Sequence, residues 1–171
     1  MVFVKFLKRS AKQPLVLISA LILIAIIVLA VAAPWIAPHD PNLVDLTKKL
    51  QSPSAEYPLG TDHLGRCELS RLLYGAQISL GTAALVMVVT MVVAVFIGTL
   101  TGYRGGVLDS LFMRLCDIVL AFPSVLMALV LIGFLGQGLF NLILAMVVVQ
   151  WVFYARLIRG LVLEAKQRTF I

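Results

Sequence analysis

The sequence has little charge, and four long stretches have none. Charged residues make up 13% of the 171 residues and hydrophobic ones 61%, and the mean hydropathy is +1.06. Lys, Arg, Asp, Glu and His are absent from residues 15–36, 78–101, 118–135 and 139–155. A bilayer core needs about 20 mainly apolar residues per helix, with about 17 as the lower limit. Backbone amides in lipid must be bonded within the span, and these runs lack strand-like alternation. The sequence therefore predicts an all-α, polytopic membrane helix bundle with four spans.

Motifs for catalysis and for energy coupling are absent as well. No span contains paired carboxylates, and no Gly-Lys dipeptide occurs anywhere, which excludes a phosphate-binding loop with its lysine. Proton-driven carriers and voltage sensors need ionisable groups at membrane depth. We therefore expect no enzyme activity, no catalytic residue and no cofactor. If the protein moves a solute, a partner must supply the energy.

The basic residues are placed unevenly along the chain. Ten of the fourteen Lys and Arg residues lie in 1–14, 102–117 and 156–171, and four lie in 37–77 and 136–138, which together are nearly as long. Cytoplasmic loops carry the excess of Lys and Arg, so both chain ends are predicted to be cytoplasmic. The net charge of +6 therefore requires no nucleic-acid partner.

The first apolar run is too long for a cleaved signal peptide. Ala30-Val31-Ala32 has the small residues of a cleavage site, but residues 15–33 form an apolar run of nineteen. A signal core has about 7 to 15 apolar residues. The run is predicted to remain as the first span.

Residues 37–77 are predicted to form the outer loop. Four prolines favour an irregular first part. Thr61 or Asp62 is a candidate N-cap for a short surface helix, whose apolar face would be Leu69, Leu72, Leu73 and Ala76. This helix would lead into the second span at residue 78.

Several small or polar residues are candidates for helix packing or for a solute pathway. Gly98 and Gly102 have the spacing that allows another helix to approach closely, although ordinary membrane glycines are an equal alternative. Asn141 and Gln150 carry amides that need partners in a low-dielectric setting and should face other helices. Pro123 is expected to kink the third span.

One carboxylate lies at the inner edge of the third span. Asp117 follows Arg114 by three residues, so it is predicted to pair with that arginine or with another subunit. A role for this carboxylate in solute passage is the less favoured alternative.

The chain resembles a known family along almost its whole length. The matching segments are PLGTDHLGR at 58–66, SRLLYGA at 70–76, GYRGGVLD at 102–109, Met113, Arg114 and Asp117, AFP at 121–123, Trp151, YAR at 154–156, Arg159 and RTFI at 168–171. They are similar to the second permease subunit of bacterial ABC importers for peptides and nickel. The family motif residues in this sequence are Gly60, Thr61, Asp62, Gly65, Arg66, Ser70, Arg71, Gly105, Gly106, Asp109, Asp117 and Pro123.

The resemblance implies a type I importer permease fold in the bacterial cytoplasmic membrane. It implies a homologous sibling permease, two cytoplasmic ATP-binding subunits and an extracytoplasmic solute-binding protein as partners. Family members continue past the position of Ile171 into the coupling helix and two more spans. The sequence is therefore expected to be a truncated product or fragment of such a subunit.

A cysteine replaces the usual family residue in the outer loop. Peptide-type relatives usually have Asp at the position of Cys67, and His63 lies four residues earlier. On a helix the two would share one face and could hold a soft metal transiently. The pair therefore gives a weak preference for nickel or a metallophore as the substrate. The alternative is that His63 and Cys67 have no common role. Cys116 lies on the opposite side in this topology, so no disulfide is predicted.

A second class of function remains open. A small, ATP-independent membrane protein, either a channel-forming oligomer or an assembly factor, would also need several apolar spans. The spans offer no ionisable pore residue, which fits a channel less well than a permease, although hydroxyl groups can line a pore.

Overall fold

The structure is a computed structural model that describes residues 13–168, and this part of the chain is helical. It contains α1 (Pro14–Val31), α2 (Ala33–Ile36), a 3-10 turn (Leu46–Lys48), α3 (Glu68–Arg104), α4 (Gly106–Leu120), α5 (Ser124–Leu135) and α6 (Leu139–Gln167). Within residues 13–168 there is no strand, only an isolated bridge between Thr61 and Cys67. The all-α prediction is confirmed. Most of the predicted N-terminal cytoplasmic segment 1–14 and the motif residues 169–171 lie outside the described residues.

Among residues 13–168, three helices are long and apolar enough to cross a membrane, and there are four such segments if one bent pair counts as a single span. Helices α1, α3 and α6 qualify singly, while α4 and α5 qualify together and meet at 90°. The chain divides into two compact units after Gly81.

The predicted first span contains a break. Helix α1 ends at Val31, Ala32 forms a turn, and α2 occupies Ala33–Ile36. Pro34 lacks the N–H that would continue the ladder of α1. Only Ala30 of α1 is buried, so almost all of its surface is apolar and exposed. Such a surface is stable only against lipid or another helix.

Helix α3 corrects the prediction of a separate surface helix. It runs for 37 residues from Glu68 to Arg104 without a break, although about 20 residues are enough to cross a bilayer core. No proline occurs in this segment, so nothing interrupts its backbone hydrogen bonds. The surface helix and the 78–101 span are therefore one helix, and neither Thr61 nor Asp62 caps it.

The predicted third span is not one helix. Helix α4 ends at Leu120, the chain turns through Ala121 and Phe122, and α5 begins after Pro123. Proline removes a donor and its ring clashes with the preceding turn. Pro123 is therefore at the predicted kink, but the effect is a 90° break instead of a bend within a continuous 118–135 helix.

In the second unit, α4 and α5 both pack against α6. Four residues of α6 are buried, and their spacing of three or four places them on one face: Ala145, Val149, Val152 and Ala155. Val152 and Ala155 are fully buried. This face of α6 is the core of the second unit.

The glycines near the end of α3 lie directly against α6. A Cβ added at Gly98 would be 2.6 Å from the carbonyl oxygen of Ala155, and one at Gly102 would be 3.0 Å from the Val162 side chain. Thr101 is also fully buried, and its hydroxyl donates to the carbonyl of Ile97 at 2.8 Å. Small residues thus allow the α3 and α6 backbones to approach closely at this point.

Substitution of Gly98 by Ala should destabilise the α3–α6 contact. The added methyl group collides with a backbone oxygen, and overpacking of this kind costs about 1–3 kcal/mol. Gly81→Ala is the matched control, because nothing lies within 4 Å of its Cβ position and Ala is the better helix former. Unfolding in detergent micelles followed by circular dichroism measures both. An equal loss of stability in Gly98→Ala and Gly81→Ala would contradict the close packing of α3 against α6.

Candidate functional site

Asp62 is the centre of the hydrogen-bond network in residues 37–67, which we call the 37–67 loop. One carboxylate oxygen accepts from the backbone N–H groups of Leu64 at 2.8 Å and Arg66 at 3.0 Å. The other accepts from Nε of Arg66 at 2.8 Å and from a guanidinium nitrogen of Arg71 at 2.5 Å. The Asp62 side chain is only 4% exposed. It therefore closes the 62–66 turn and connects it to the first turns of α3.

The surroundings of Asp62 keep its carboxylate ionised. Burial raises the pKa of Asp62, but hydrogen bonds from the Arg66 guanidinium and from the N–H groups of Arg66 and Leu64 outweigh it. The pKa of Asp62 therefore lies well below its ordinary value. Its stabilising effect is fully present above the unfolded pKa of about 3.9 and is lost only as the pH falls through the lower folded pKa. Asp62 is a structural anion and not a proton donor at neutral pH.

Thr61 joins two segments of the 37–67 loop. Its hydroxyl donates to the carbonyl of Lys48 and accepts from the N–H of Gln51 at 2.8 Å. Its own N–H donates to the carbonyl of Gln51 at 3.1 Å. Thr61 is only 6% exposed. These bonds therefore hold the 48–51 segment against the 61–67 segment, where few apolar side chains are buried.

Two family-motif glycines are required by the backbone of this loop. Gly60 has φ +78° and Gly65 has φ +74°, a region that other residues rarely adopt. A Cβ at Gly60 would collide with the carbonyl oxygen of Gln51, and one at Gly65 with that of Asp45. Conformation and space therefore both exclude a side chain at these positions.

Ser70 and an aromatic pair hold the beginning of the loop against α3. The fully buried Ser70 hydroxyl accepts from the N–H of His39 at 3.1 Å. The His39 ring stacks on Tyr57, with centroids 4.6 Å apart. Lys48 donates to Glu56 at 2.7 Å and to the Tyr57 hydroxyl at 3.0 Å, and these bonds, that to Glu56 first, raise the pKa of Lys48. This cluster is not predictable from the sequence, because an aromatic residue in an irregular loop gives no periodic signal.

The proposed helical face of His63 and Cys67 is not formed. His63 lies exposed in the 62–66 turn, whereas Cys67 is 2% exposed and bridges to Thr61 before α3 begins at Glu68. Within residues 13–168, no group of three or more His, Cys, Asp and Glu side chains is placed to hold a metal ion. The helix premise was wrong because the Asp62 turn occupies the residues that the helix would need.

The second unit contains two Asp–Arg ion pairs between α4 and α6. Arg159 donates through Nε and through a terminal nitrogen, the latter at 2.5 Å, to the two carboxylate oxygens of Asp109. Arg156 donates to one oxygen of Asp117. The predicted pairing of Asp117 with Arg114 is therefore wrong, and its pairing with another subunit stays a prediction. Packing of α4 against α6 brings Arg156 of the same chain within bonding distance instead.

The turn between α3 and α4 also depends on glycine. Gly105 and Gly106 both have φ +66°, and nothing lies within 4 Å of either Cβ position. Their requirement is therefore conformational and not steric. These two glycines allow the chain to pass from α3 to α4 through a single residue, Gly105.

Asn141 and Gln150 have different surroundings. The Asn141 amide donates to the carbonyls of Leu135 at 2.8 Å and Gly136 at 3.1 Å, so it closes the turn between α5 and α6. Gln150 is half-buried and lines an apolar groove of about 320 Å³ between α5 and α6, together with residues such as Ser124 and Met146. The Asn141 amide thus finds its hydrogen-bond partners in the turn between α5 and α6, whereas Gln150 lies beside a groove.

Two stretches of the chain match known protein families. Residues 94–171 match the family described as binding-protein-dependent transport system inner membrane component. Residues 3–53 match the N-terminal transmembrane domain of oligopeptide transport permease C. The chain belongs to the binding-protein-dependent transport permeases. The first match includes both Asp–Arg pairs of this permease and the break at Pro123, while the second includes α1 and much of the 37–67 loop.

Curated permeases are similar to this chain along most of its length. The probable D,D-dipeptide transport system permease protein of Escherichia coli (strain K12) is 39% identical over 159 residues, 93% of this chain. The nickel transport system permease protein of the same strain is 39% identical over 153 residues, 89% of this chain. The glutathione transport system permease protein of Escherichia coli O6:K15:H31 is 40% identical over 176 residues, 98% of this chain. These matches cover 53% to 55% of the relatives, so the chain spans about half their length.

Replacing Asp62 with Asn should open the 37–67 loop and expose Cys67. The uncharged amide accepts weaker hydrogen bonds from Arg66 and Arg71. Loss of a charge-assisted network is expected to raise local opening about tenfold or more. The rate at which a hydrophilic maleimide modifies Cys67, in a Cys116→Ala background, measures this opening. His63→Ala is the control, since His63 is exposed and should leave the rate unchanged. If Cys67 were modified no faster in Asp62→Asn than in the chain with Asp62, Asp62 would not be what holds the loop closed.

Proposed function

We propose that this permease is a membrane subunit of a bacterial ABC importer for peptides or nickel. It would form the translocation pathway together with a homologous sibling permease. The observation that carries the proposal is the identity of 39% to 40% with three transport permeases over 89% to 98% of the chain. The absence of charge from the spans supports it, because nothing in them can couple transport to a proton or to the membrane potential.

The proposed topology places both chain ends in the bacterial cytoplasm. Segments 1–14, 102–117 and 156–171 would be cytoplasmic, and the 37–67 loop with the start of α3 would face outward. The distribution of Lys and Arg supports this orientation. The folded 37–67 loop would then be a rigid surface on the side from which a solute-binding protein delivers its cargo.

The proposed mechanism is alternating access. Two cytoplasmic ATP-binding subunits would close on ATP and rock this helix bundle against its sibling, exposing a central path to each side in turn. Gln150, and the close contact at Gly98 and Gly102, are candidates for the pathway or for the subunit contact. The permease itself would carry no catalytic residue and no cofactor.

Peptides and nickel remain the proposed substrate classes. The names of the relatives refer to D,D-dipeptides, nickel and glutathione. The preference for nickel depended on His63 and Cys67 acting together. Since Cys67 is buried and His63 is exposed, this structure gives that preference no support. Uptake of radioactive nickel and of labelled dipeptides by the assembled importer would separate the two classes.

Affinity purification tests the subunit role. The tagged chain, extracted in mild detergent from its own cells, should bring down a second permease and, through that permease, ATP-binding subunits, all identified by mass spectrometry. A channel-forming oligomer would instead purify alone, at a mass that is a multiple of 18.7 kDa. A sample purified from cells that lack the tag provides the control. Recovery of the chain without a second permease would contradict the proposal.

Reporter fusions test the topology. Alkaline phosphatase, which folds only outside the cytoplasm, should be active when fused after Ser54 and inactive when fused after Lys166. Green fluorescent protein should show the opposite pattern, because the two positions lie on opposite sides in the proposed orientation. Equal expression of the four fusions, measured by immunoblot, is the control. Phosphatase activity after Lys166 would overturn the orientation.

A further inference from the structure

We propose that the Asp117–Arg156 pair sets the angle between α4 and α6 and thereby holds the break between α4 and α5 at its present 90°. The Asp109–Arg159 pair, in this proposal, is the fixed point about which α4 would turn. The two pairs are called the Asp117 pair and the Asp109 pair below. The proposal concerns a hinge within the second unit and goes beyond the proposed transport function.

The two pairs are spaced differently on the two helices that they join. Asp109 and Asp117 are eight residues apart, about 12 Å along α4, whereas Arg156 and Arg159 are three residues apart, about 4.5 Å along α6. A helix attached at one point can turn about that point, but a helix attached at two points cannot. The second pair therefore fixes a direction that the first pair leaves free.

The two pairs differ in burial and in the number of bonds. The side chains of Asp109 and Arg159 are 14% and 26% exposed, and both carboxylate oxygens accept bonds. Those of Asp117 and Arg156 are 65% and 43% exposed, and one oxygen accepts a bond. A forked and partly buried Arg–carboxylate pair is the stronger kind. An exposed single contact contributes little and is screened by salt. The Asp117 pair is therefore the one that opens first.

The backbone between α4 and α5 does not fix their angle. The N–H of Ala121 donates to the carbonyl of Asp117, and that of Phe122 to Val119, both within the end of α4. The next bond, from Met127 to Pro123, belongs to α5. In the described chain no backbone hydrogen bond joins the two helices across Pro123. Besides the direct contacts of α4 with α5, the angle therefore depends on what holds each helix to α6, which is apolar packing for α5 and packing with the two ion pairs for α4.

An alternative partner for Asp117 lies on its own helix. Arg114 is three residues earlier on α4, a spacing at which opposite charges attract. When the Asp117 pair opens, the carboxylate therefore does not lose all cationic neighbours, which lowers the cost of opening. Under the proposed topology both pairs face the cytoplasm. The two pairs are sensitive to dissolved salt only if they face water, as they do in the proposed topology. The reporter fusions test that topology separately.

Pulsed electron paramagnetic resonance on the full chain in lipid nanodiscs tests the hinge. Spin labels at Leu111 of α4 and Phe134 of α5, both exposed, report the distance across the break in a Cys67→Ser, Cys116→Ala background. Asp117→Asn and Arg156→Gln should each increase the population away from the main distance by roughly two- to fivefold, the effect of an exposed pair. Combining Asp117→Arg with Arg156→Asp should restore the original distribution.

Two controls separate a positional role from general destabilisation. Glu164→Gln removes another exposed ion pair, that of Glu164 near the end of α6 with Arg168 just after the helix, and should leave the distance unchanged. A high salt concentration, applied to protein in which Asp117 and Arg156 are intact, should reproduce the distance distribution of Asp117→Asn. This experiment remains informative even if the substituted proteins do not fold. Circular dichroism confirms equal helix content. An unchanged distance in Asp117→Asn and at high salt would overturn the proposal, as would failure of the reversed pair to restore it in a folded sample.

Discussion

Lipid offers no hydrogen-bond partner to a backbone amide, and the rest of the structure follows from this constraint. The four charge-free stretches must satisfy their polar groups within helices, and they do so in α1, α3, α5 and α6. The ion pairs of the described residues all lie outside those stretches. Within them, contact depends on small residues such as Gly98, where any side chain would collide with α6.

The two parts of the chain are stabilised by different interactions. The 37–67 loop has few buried apolar side chains, and its order comes from Asp62, Thr61 and Ser70 bonding to distant backbone and to arginines. The second unit relies on one apolar face of α6. The two Asp–Arg pairs of the second unit add charge interactions to the packing of α4 against α6.

Much of the architecture could be predicted from residue patterns, and the errors share one cause. Uncharged runs identified the helices because burial in lipid imposes the same requirement on every residue. The start of α3 was misplaced because Asp62 resembles an N-cap locally, whereas its carboxylate instead bonds Arg71 nine residues later. Asp117 was assigned to Arg114 for the same reason. Local spacing favoured the neighbour, and the packing of α4 on α6 supplied Arg156.

The sequence by itself determined the class of protein, the helical stretches, the glycines and the proline at which the chain turns, and the family, since each depends on composition or on order along the chain. Only the tertiary structure decided which charges pair, how sharply α4 and α5 meet, and that Cys67 is buried away from His63. Those features depend on distances between residues far apart in sequence. Such distances arise only when the helices and the loop have packed.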